Sequence, residues 1–210
     1  MANRPTRPET SRAEIGIVGG SGFYEFLDDV EEIDVATPYG EPSALLTLGT
    51  VGSLQPDLHP GDLVVIDQLV DRTWGRADTY HDDPPVHHQS FAEPYDAGLR
   101  AVLVTAGREL GITVHDGGTM VVINGPRFST RAESQWFRSM GWHVVNMTGY
   151  PEAVLAAELD VPYAAIALVT DYDAGVDGQE PVTMDTVLAV MQRNVDRVRE
   201  LLLRAIPLLP

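Results

Sequence analysis

Two runs in this chain constrain its fold more than anything else. Tyr163–Thr170 reads YAAIALVT, eight residues without a charge, and Leu63–Leu69 reads LVVIDQL. A strand with one wet face alternates apolar and polar residues. A run apolar at consecutive positions belongs to a strand covered on both faces. Covers for such strands are present. Asp96–Leu110 places Leu99, Val102, Leu103, Ala106 and Leu110 on one helical face, and Gly111 suits its C-terminal end. Arg131–Met140 reads as a helix, as does Pro151–Leu159 with proline in its first turn. A long helix is expected over Met184–Ala205, with Val187, Leu188, Met191, Val195, Val198 and Leu202 along one side. Further strands are expected at Ile15–Val18, Glu31–Val35, Ala44–Leu48, Gly118–Asn124 and His143–Met147. Strands alternating with helices give an α/β sandwich around a largely buried sheet. Ligands of such folds sit beyond the strand ends, where the loops gather.

The chain has 210 residues, which suits one domain with a buried core. Its net charge is −17 with 14 basic residues, all arginine, against 31 acidic ones. Nucleic acid and anionic membrane surfaces are poor partners for that balance, because phosphate backbones are held by clustered Lys and Arg. The chain lacks cysteine, so disulfides and thiolate catalysis are excluded. Residues 1–13 are polar and proline-containing, and are expected to be a flexible leader rather than a signal peptide. No apolar run reaches membrane-spanning length, and a cytoplasmic location is expected.

Four segments invite chemistry. IGIVGGSGF (Ile15–Phe23) runs a short strand into a glycine turn. The G-x-G-x-x-G spacing of a dinucleotide site is not completed, and no Gly-Lys-Ser/Thr occurs anywhere. What survives is either a single oxyanion held by backbone amides and the Ser21 hydroxyl, or a tight structural turn. GPRFSTRAE (Gly125–Glu133) holds Arg127, Arg131 and Glu133, and reads either as a functional cluster or as a salt-bridged helix start capped by Ser129. TDYD (Thr170–Asp173) sets two carboxylates just past an apolar strand, spaced to point the same way. They read as a proton-sharing or base-recognising pair, or as a solvated strand end. HDDPPVHH (His81–His88) fits no zinc spacing, so no metal site is expected.

Together these segments resemble the trimeric purine nucleoside phosphorylase family, and most closely its methylthioadenosine phosphorylase branch. The stretches that carry the resemblance are GIVGGSGFYEF, TPYGEPS, GSLQPDLHPGDLVVIDQLVDRT, FAEPY, GTMVVINGPRFSTRAES, VVNMTGYPEAVLAAEL and YAAIALVTDYD, in family order. The resemblance implies a single-domain three-layer sandwich with a central mixed sheet flanked by helices, over residues 14–210. It implies phosphorolysis of 5′-methylthioadenosine to adenine and 5-methylthioribose 1-phosphate, with orthophosphate as co-substrate and no cofactor. Gly20, Ser21 and Gly22 then form the phosphate loop, and Thr148 donates a hydroxyl to the same anion. Met147 packs on the ribose. Phe128 and Ser129 line the base pocket, Asp171 and Asp173 recognise the purine, and Asp171 protonates its leaving N7. Met184 and Val187 form the apolar wall for the 5′ substituent. His88 is lent to a neighbouring subunit, in a homotrimer or a dimer of trimers. Two alternatives stand beside this: a 6-oxopurine nucleoside phosphorylase, and a non-catalytic nucleoside-binding relative.

The second alternative arises from a departure. After TLGT (Thr47–Thr50) the chain passes straight to VGSLQPDLHPGD, where family members insert several dozen residues, including an Arg-His pair for phosphate. No Arg-His dipeptide occurs in this chain. The site residues retained on both sides favour a segment omitted from the sequence over a true internal deletion.

Overall fold

The computed structural model describes residues 15–20, 42–174, 176, 178–180 and 182–209. The expected leader, the strand expected at Glu31–Val35, and Ser21 and Gly22 lie outside the described residues. At the centre, β2 (Ala44–Ser53) and β8 (Tyr163–Tyr172) run parallel from Leu45↔Tyr163 to Ser53↔Tyr172. The two-sided burial expected of β8 is what its side chains show. Ala164, Ile166 and Leu168 join Leu46, Leu48 and Leu63 on one face. That face is covered by Leu99 and Leu103 of α1 (Ala97–Glu109) and by Val198, Leu201 and Leu202 of α4 (Met184–Ala205). Tyr163, Ala165, Ala167 and Val169 point the other way, under Ala153 and Ala156 of α3 (Gly149–Glu158). A smaller cluster seats Phe137 of α2 (Arg131–Ser139) on Leu54, Val121 and Val145.

The remaining strands are β1 (Ile15–Gly19), β3 (Leu63–Val65), β4 (Gln68–Arg72), β5 (Val114–Asp116), β6 (Thr119–Ile123) and β7 (Val144–Asn146). The sheet order is β4-β6-β7-β2-β8-β3-β5, with β1 on β2. β2 is antiparallel to β7 and β3 to β8, and the other pairs are parallel, so the sheet is mixed. Helices flank a central mixed sheet, as the sequence suggests.

Leu63–Leu69 is not one strand. It breaks at Ile66–Asp67 into β3 and β4, and its neighbour breaks in step at Gly117–Gly118 into β5 and β6. β3 pairs with β5 and β4 with β6, so one two-stranded ribbon supplies both ends of the sheet. Its first half lies on β8 and its second on β7. The sheet therefore curls back on itself. Asp67 fixes the break: its Oδ1 accepts from the Gly118 amide at 2.9 Å, while the Gly117 amide donates to the Val65 carbonyl at 3.0 Å. Gly117 sits at φ +98°, and a Cβ there would lie 3.0 Å from Asp67 Oδ2. A side chain is refused both by the backbone conformation and by the space.

Leu168 is 1% exposed and sits between β2 and β3. Leu168→Ala is expected to cost about 2–5 kcal/mol, the range for a truncated core leucine. Urea unfolding measures it, and a loss below about 1 kcal/mol would show that the core closes over the gap.

Candidate active site

β1 and β7 occupy the same edge of β2 and point their C-terminal ends at one another. β1 runs parallel to β2 and ends at Gly19↔Leu48, with the Gly20 amide on the Leu48 carbonyl at 2.8 Å. β7 runs antiparallel, and its ladder is Val144↔Ser53 and Val145↔Gly52. Between the two strand ends the β2 edge has no ladder partner among the described residues over Gly49–Val51. A cavity of about 180 Å³ opens there, and Gly49, Thr50, Val51 and Gly52 all line it. The strand passes through Thr50–Val51 without interruption, in register with Leu168–Val169 of β8.

The carboxylates reach this cavity through an irregularity in β8. The register with β2 shifts so that Val51 faces Val169 but Gly52 faces Asp171, leaving Thr170 unopposed. A bulge of this kind re-aims the side chains that follow it. The strand does not end at Thr170, as the sequence suggests, but runs on to Tyr172, so Asp171 stands within the sheet. Both Asp171 and Asp173 line the cavity, with relative exposures of 8% and 3%. Gly52 makes room for them: a Cβ there would lie 3.0 Å from Asp171 Oδ1 and 3.3 Å from Asp173 Cβ.

Burial pushes the Asp171 carboxyl up from the ordinary 3.8 to about 6; the Thr170 hydroxyl, donating to Oδ2 at 2.8 Å, opposes this, and the charge of Asp173 adds to it. Asp173 is likewise raised by burial, against the pull of the Ser129 and Ser134 hydroxyls and the Ala174 amide. Among the described residues, Asp173 Oδ2, Ser129 Oγ and Ser134 Oγ are buried without a partner at hydrogen-bonding distance and angle. The two serines lie close enough to favour the Asp173 charge electrostatically but leave its outer oxygen unsatisfied. Such a group carries an energetic cost that a polar ligand relieves.

The opposite end of the cavity is formed by Gly20, Met147 and Thr148. Thr148 precedes α3, yet its hydroxyl makes no capping hydrogen bond. The Gly20 amide is committed to Leu48, so Gly20 offers the cavity close backbone approach rather than a donor. Phe128, Ser129, Met184 and Val187 complete the lining. Nine of the sequence-selected residues thus meet in one cavity. His88 does not; it stands exposed on the long segment after β4. Among the described residues no lysine, arginine or histidine lines the cavity, and residues 15–58 of the sequence contain none.

The GPRFSTRAE segment resolves in two parts. Arg127 pairs with Glu133 through two 2.8 Å contacts, which pull the Glu133 carboxyl down to about 2 together with the Thr130 amide. The helix cap is Thr130, not Ser129: Thr130 and Glu133 close a capping box. Ser129 is freed to line the cavity. Among the described residues no three His, Asp or Glu side chains are grouped to hold a metal ion, and no helix is long and apolar enough to cross a membrane. Sequence reasoning missed Gly49, Gly52 and Asn146 as lining residues. The two strand glycines were the available signal, since glycine inside a strand marks close approach of a ligand or another backbone.

A sequence model described as Phosphorylase superfamily matches residues 27–207. The chain belongs to that superfamily. It is 43% identical over 252 residues to "Purine nucleoside phosphorylase" of Streptomyces coelicolor, covering 95% of this chain and 90% of the relative. It is 46% identical over 239 residues to "S-methyl-5'-thioadenosine phosphorylase" of Mycobacterium tuberculosis, covering 91% and 88%. Among solved structures, a methylthioadenosine phosphorylase from Schistosoma mansoni in complex with adenine superposes with a TM-score of 0.86 at 34% identity, covering 93% of this chain and 91% of that one. The 252-position alignment draws on 95% of 210 residues, so about fifty positions of that superfamily member have no counterpart here.

The position of Asp171 has a consequence for stability. Its folded-state carboxyl titrates above the unfolded one, so its contribution is fully present below about pH 4 and is lost as pH rises through about 6. The loss is roughly 3 kcal/mol at 1.36 kcal/mol per pH unit. Asp171→Asn is therefore expected to be more stable than the parent by about 1–3 kcal/mol at pH 8 and equal to it near pH 4. Denaturant midpoints at the two pH values test this, and equal stability at pH 8 would place the ionised carboxylate in a solvated setting.

Proposed function

We propose that this chain catalyses phosphorolysis of 5′-methylthioadenosine, giving adenine and 5-methylthioribose 1-phosphate, with orthophosphate as co-substrate. The observation that carries this reading is the convergence of the buried Asp171–Asp173 pair and the Gly20–Thr148 end on one cavity, in a chain 46% identical to a named methylthioadenosine phosphorylase. A purine fits the acidic end. The unsatisfied Asp173 oxygen and the Ser129 hydroxyl suit the polar edge of the base, and a carboxylate accepts from the 6-amino group of adenine. Ser21, Gly22 and the Thr148 hydroxyl are assigned to phosphate, with Gly20 shaping the turn. Met147 is assigned to the ribose, Phe128 to the base, and Met184 and Val187 to the methylthio group.

Phosphate oxygen attacks C1′ as the bond to N9 breaks, and the bond's electron pair leaves with the purine. Positive charge develops on the sugar, as in other glycosidic cleavages. The departing base gains negative charge, which a proton at N7 neutralises. Asp171 suits that donor, because burial keeps its proton to about pH 6. Placing phosphate and nucleoside in line supplies further acceleration. Proton transfer and positioning suffice for this chemistry, so the reading needs no metal or organic cofactor. The assembly is read as a homotrimer or a dimer of trimers in the cytoplasm, with exposed His88 offered to the neighbour's 5′ pocket and residues 14–210 as its single domain.

A second reading draws on the lining of the cavity. Among the described residues no basic side chain lines it, so anion binding there rests on hydroxyls and amides, and a nucleoside-binding protein without turnover is the alternative. Adenine release from methylthioadenosine, followed by chromatography with and without phosphate, separates the two. Release only with phosphate, and faster than from inosine, is the expected result. Binding without cleavage supports the second reading, and much faster cleavage of inosine and guanosine supports a 6-oxopurine enzyme. Asp171→Asn is expected to move the methylthioadenosine-to-inosine ratio at least about tenfold towards inosine, since a mismatched hydrogen bond in a buried site discriminates strongly.

A further inference from the structure

Arg76 lies in the polar segment that follows β4, and nothing in the reaction described above uses it. Its guanidinium is half-buried and points at main-chain carbonyls. It donates to Met147 at 2.8 Å, to Asn124 at 3.3 Å, to Ile123 at 3.4 Å, and to Tyr150. These four carbonyls belong to the end of β6, the end of β7 and the entry to α3. Two of the residues, Met147 and Ile123, line the cavity. Among the described residues no carboxylate pairs with Arg76, so its donors are spent on backbone.

The same segment is fastened nearby. Asp78 accepts from the Tyr150 hydroxyl at 2.7 Å, and Thr79 and the Tyr80 amide bond the Glu158 carboxylate at 2.6 and 2.7 Å. Residues 76–80 are thereby fixed along α3. Met147 is held from its other side as well. Gly125, at φ +66°, leaves the space that the Met147 side chain fills. The backbone that carries Met147 into Thr148 is thus set by one fork of N–H groups and one glycine. A guanidinium spans several carbonyls at once because its five donors lie in one rigid plane, which a lysine ammonium does not reproduce.

We propose that Arg76 is a positioning residue of the reaction: without touching substrate, it fixes the Met147–Thr148 ledge on which sugar and phosphate are aligned. The assignment of ligands to that ledge rests on the function proposed above, but the placement of the ledge does not. The base end, carried by β8 and Ser129, receives no contact from Arg76 and is expected to be indifferent to it.

The test uses the full chain with Arg76→Lys and Arg76→Gln, labelled with ¹³C at the methionine methyls. In both variants the Met147 methyl resonance, assigned through Met147→Leu, is expected to shift or broaden while that of Met184 stays. kcat/KM for phosphate is expected to fall at least about tenfold, with adenine affinity, measured by calorimetry, changed less than about twofold. A Met147 resonance that does not move overturns the proposal, whether or not the parent turns over. So does an unchanged kcat/KM for phosphate, or adenine affinity falling in step with activity, which marks general structural damage. A parent that releases no adenine removes the proposed function instead, and the methionine resonances still decide the role of Arg76.

Discussion

The parallel pairing of β2 with β8 organises both the core and the cavity. β8 is apolar on alternate sides, so helices must cover it from both, and α1, α4 and α3 do so. A strand so enclosed ends in a dry place. The two carboxylates that follow inherit that dryness, which is why burial dominates the shift of each. The Thr170 bulge then turns Asp171 toward β2, where Gly52 leaves room for it. Acidity, orientation and space at the base end thus derive from one strand pair.

The other end of the cavity depends on how strands terminate rather than on what they carry. β1 and β7 approach each other along a single edge of β2 and stop short. The interval leaves the β2 backbone lining the cavity and brings Gly20, just past β1, to the same place as Met147 and Thr148, just past β7. In sheets with all strands parallel, ligands collect where neighbouring connections diverge. Here a parallel and an antiparallel neighbour achieve the same thing by meeting head to head.

Much of this was legible in the sequence. The uncharged run at Tyr163–Thr170 announced a doubly covered strand, and the helix faces of α1 and α4 fell where their apolar spacing put them. Nine of the residues chosen from the motifs gathered into one cavity because those motifs follow strand ends, whereas exposed His88 stands apart. What was hidden has physical causes. Asp171 and Tyr172 look like a polar stop, and only pairing with Gly52 and Ser53 keeps them in the strand. The break at Asp67 is set by a hydrogen bond to Gly118, distant in sequence, so local periodicity carries no trace of it. β5 has three residues, too few for any pattern. The cap was legible and misread: Thr130 and Glu133 stand three apart, the capping-box spacing, whereas Ser129 has alanine there. Arg76 acts on backbone carbonyls, which no side-chain motif encodes.

The curled sheet also shapes how the chain folds. β8 is the last strand in the sequence, yet it lies between β2 and β3. Leu46 finds its neighbour Ala164 only after more than half of the polypeptide has been made. Until then β2 and the β3–β5 half of the ribbon have no bridge between them, and apolar surface on both remains open to water. Closure of large loops is slow, and incompletely paired strands associate with other chains. The late arrival of one central strand is therefore the step that governs both the speed of folding and the interval of exposure to aggregation.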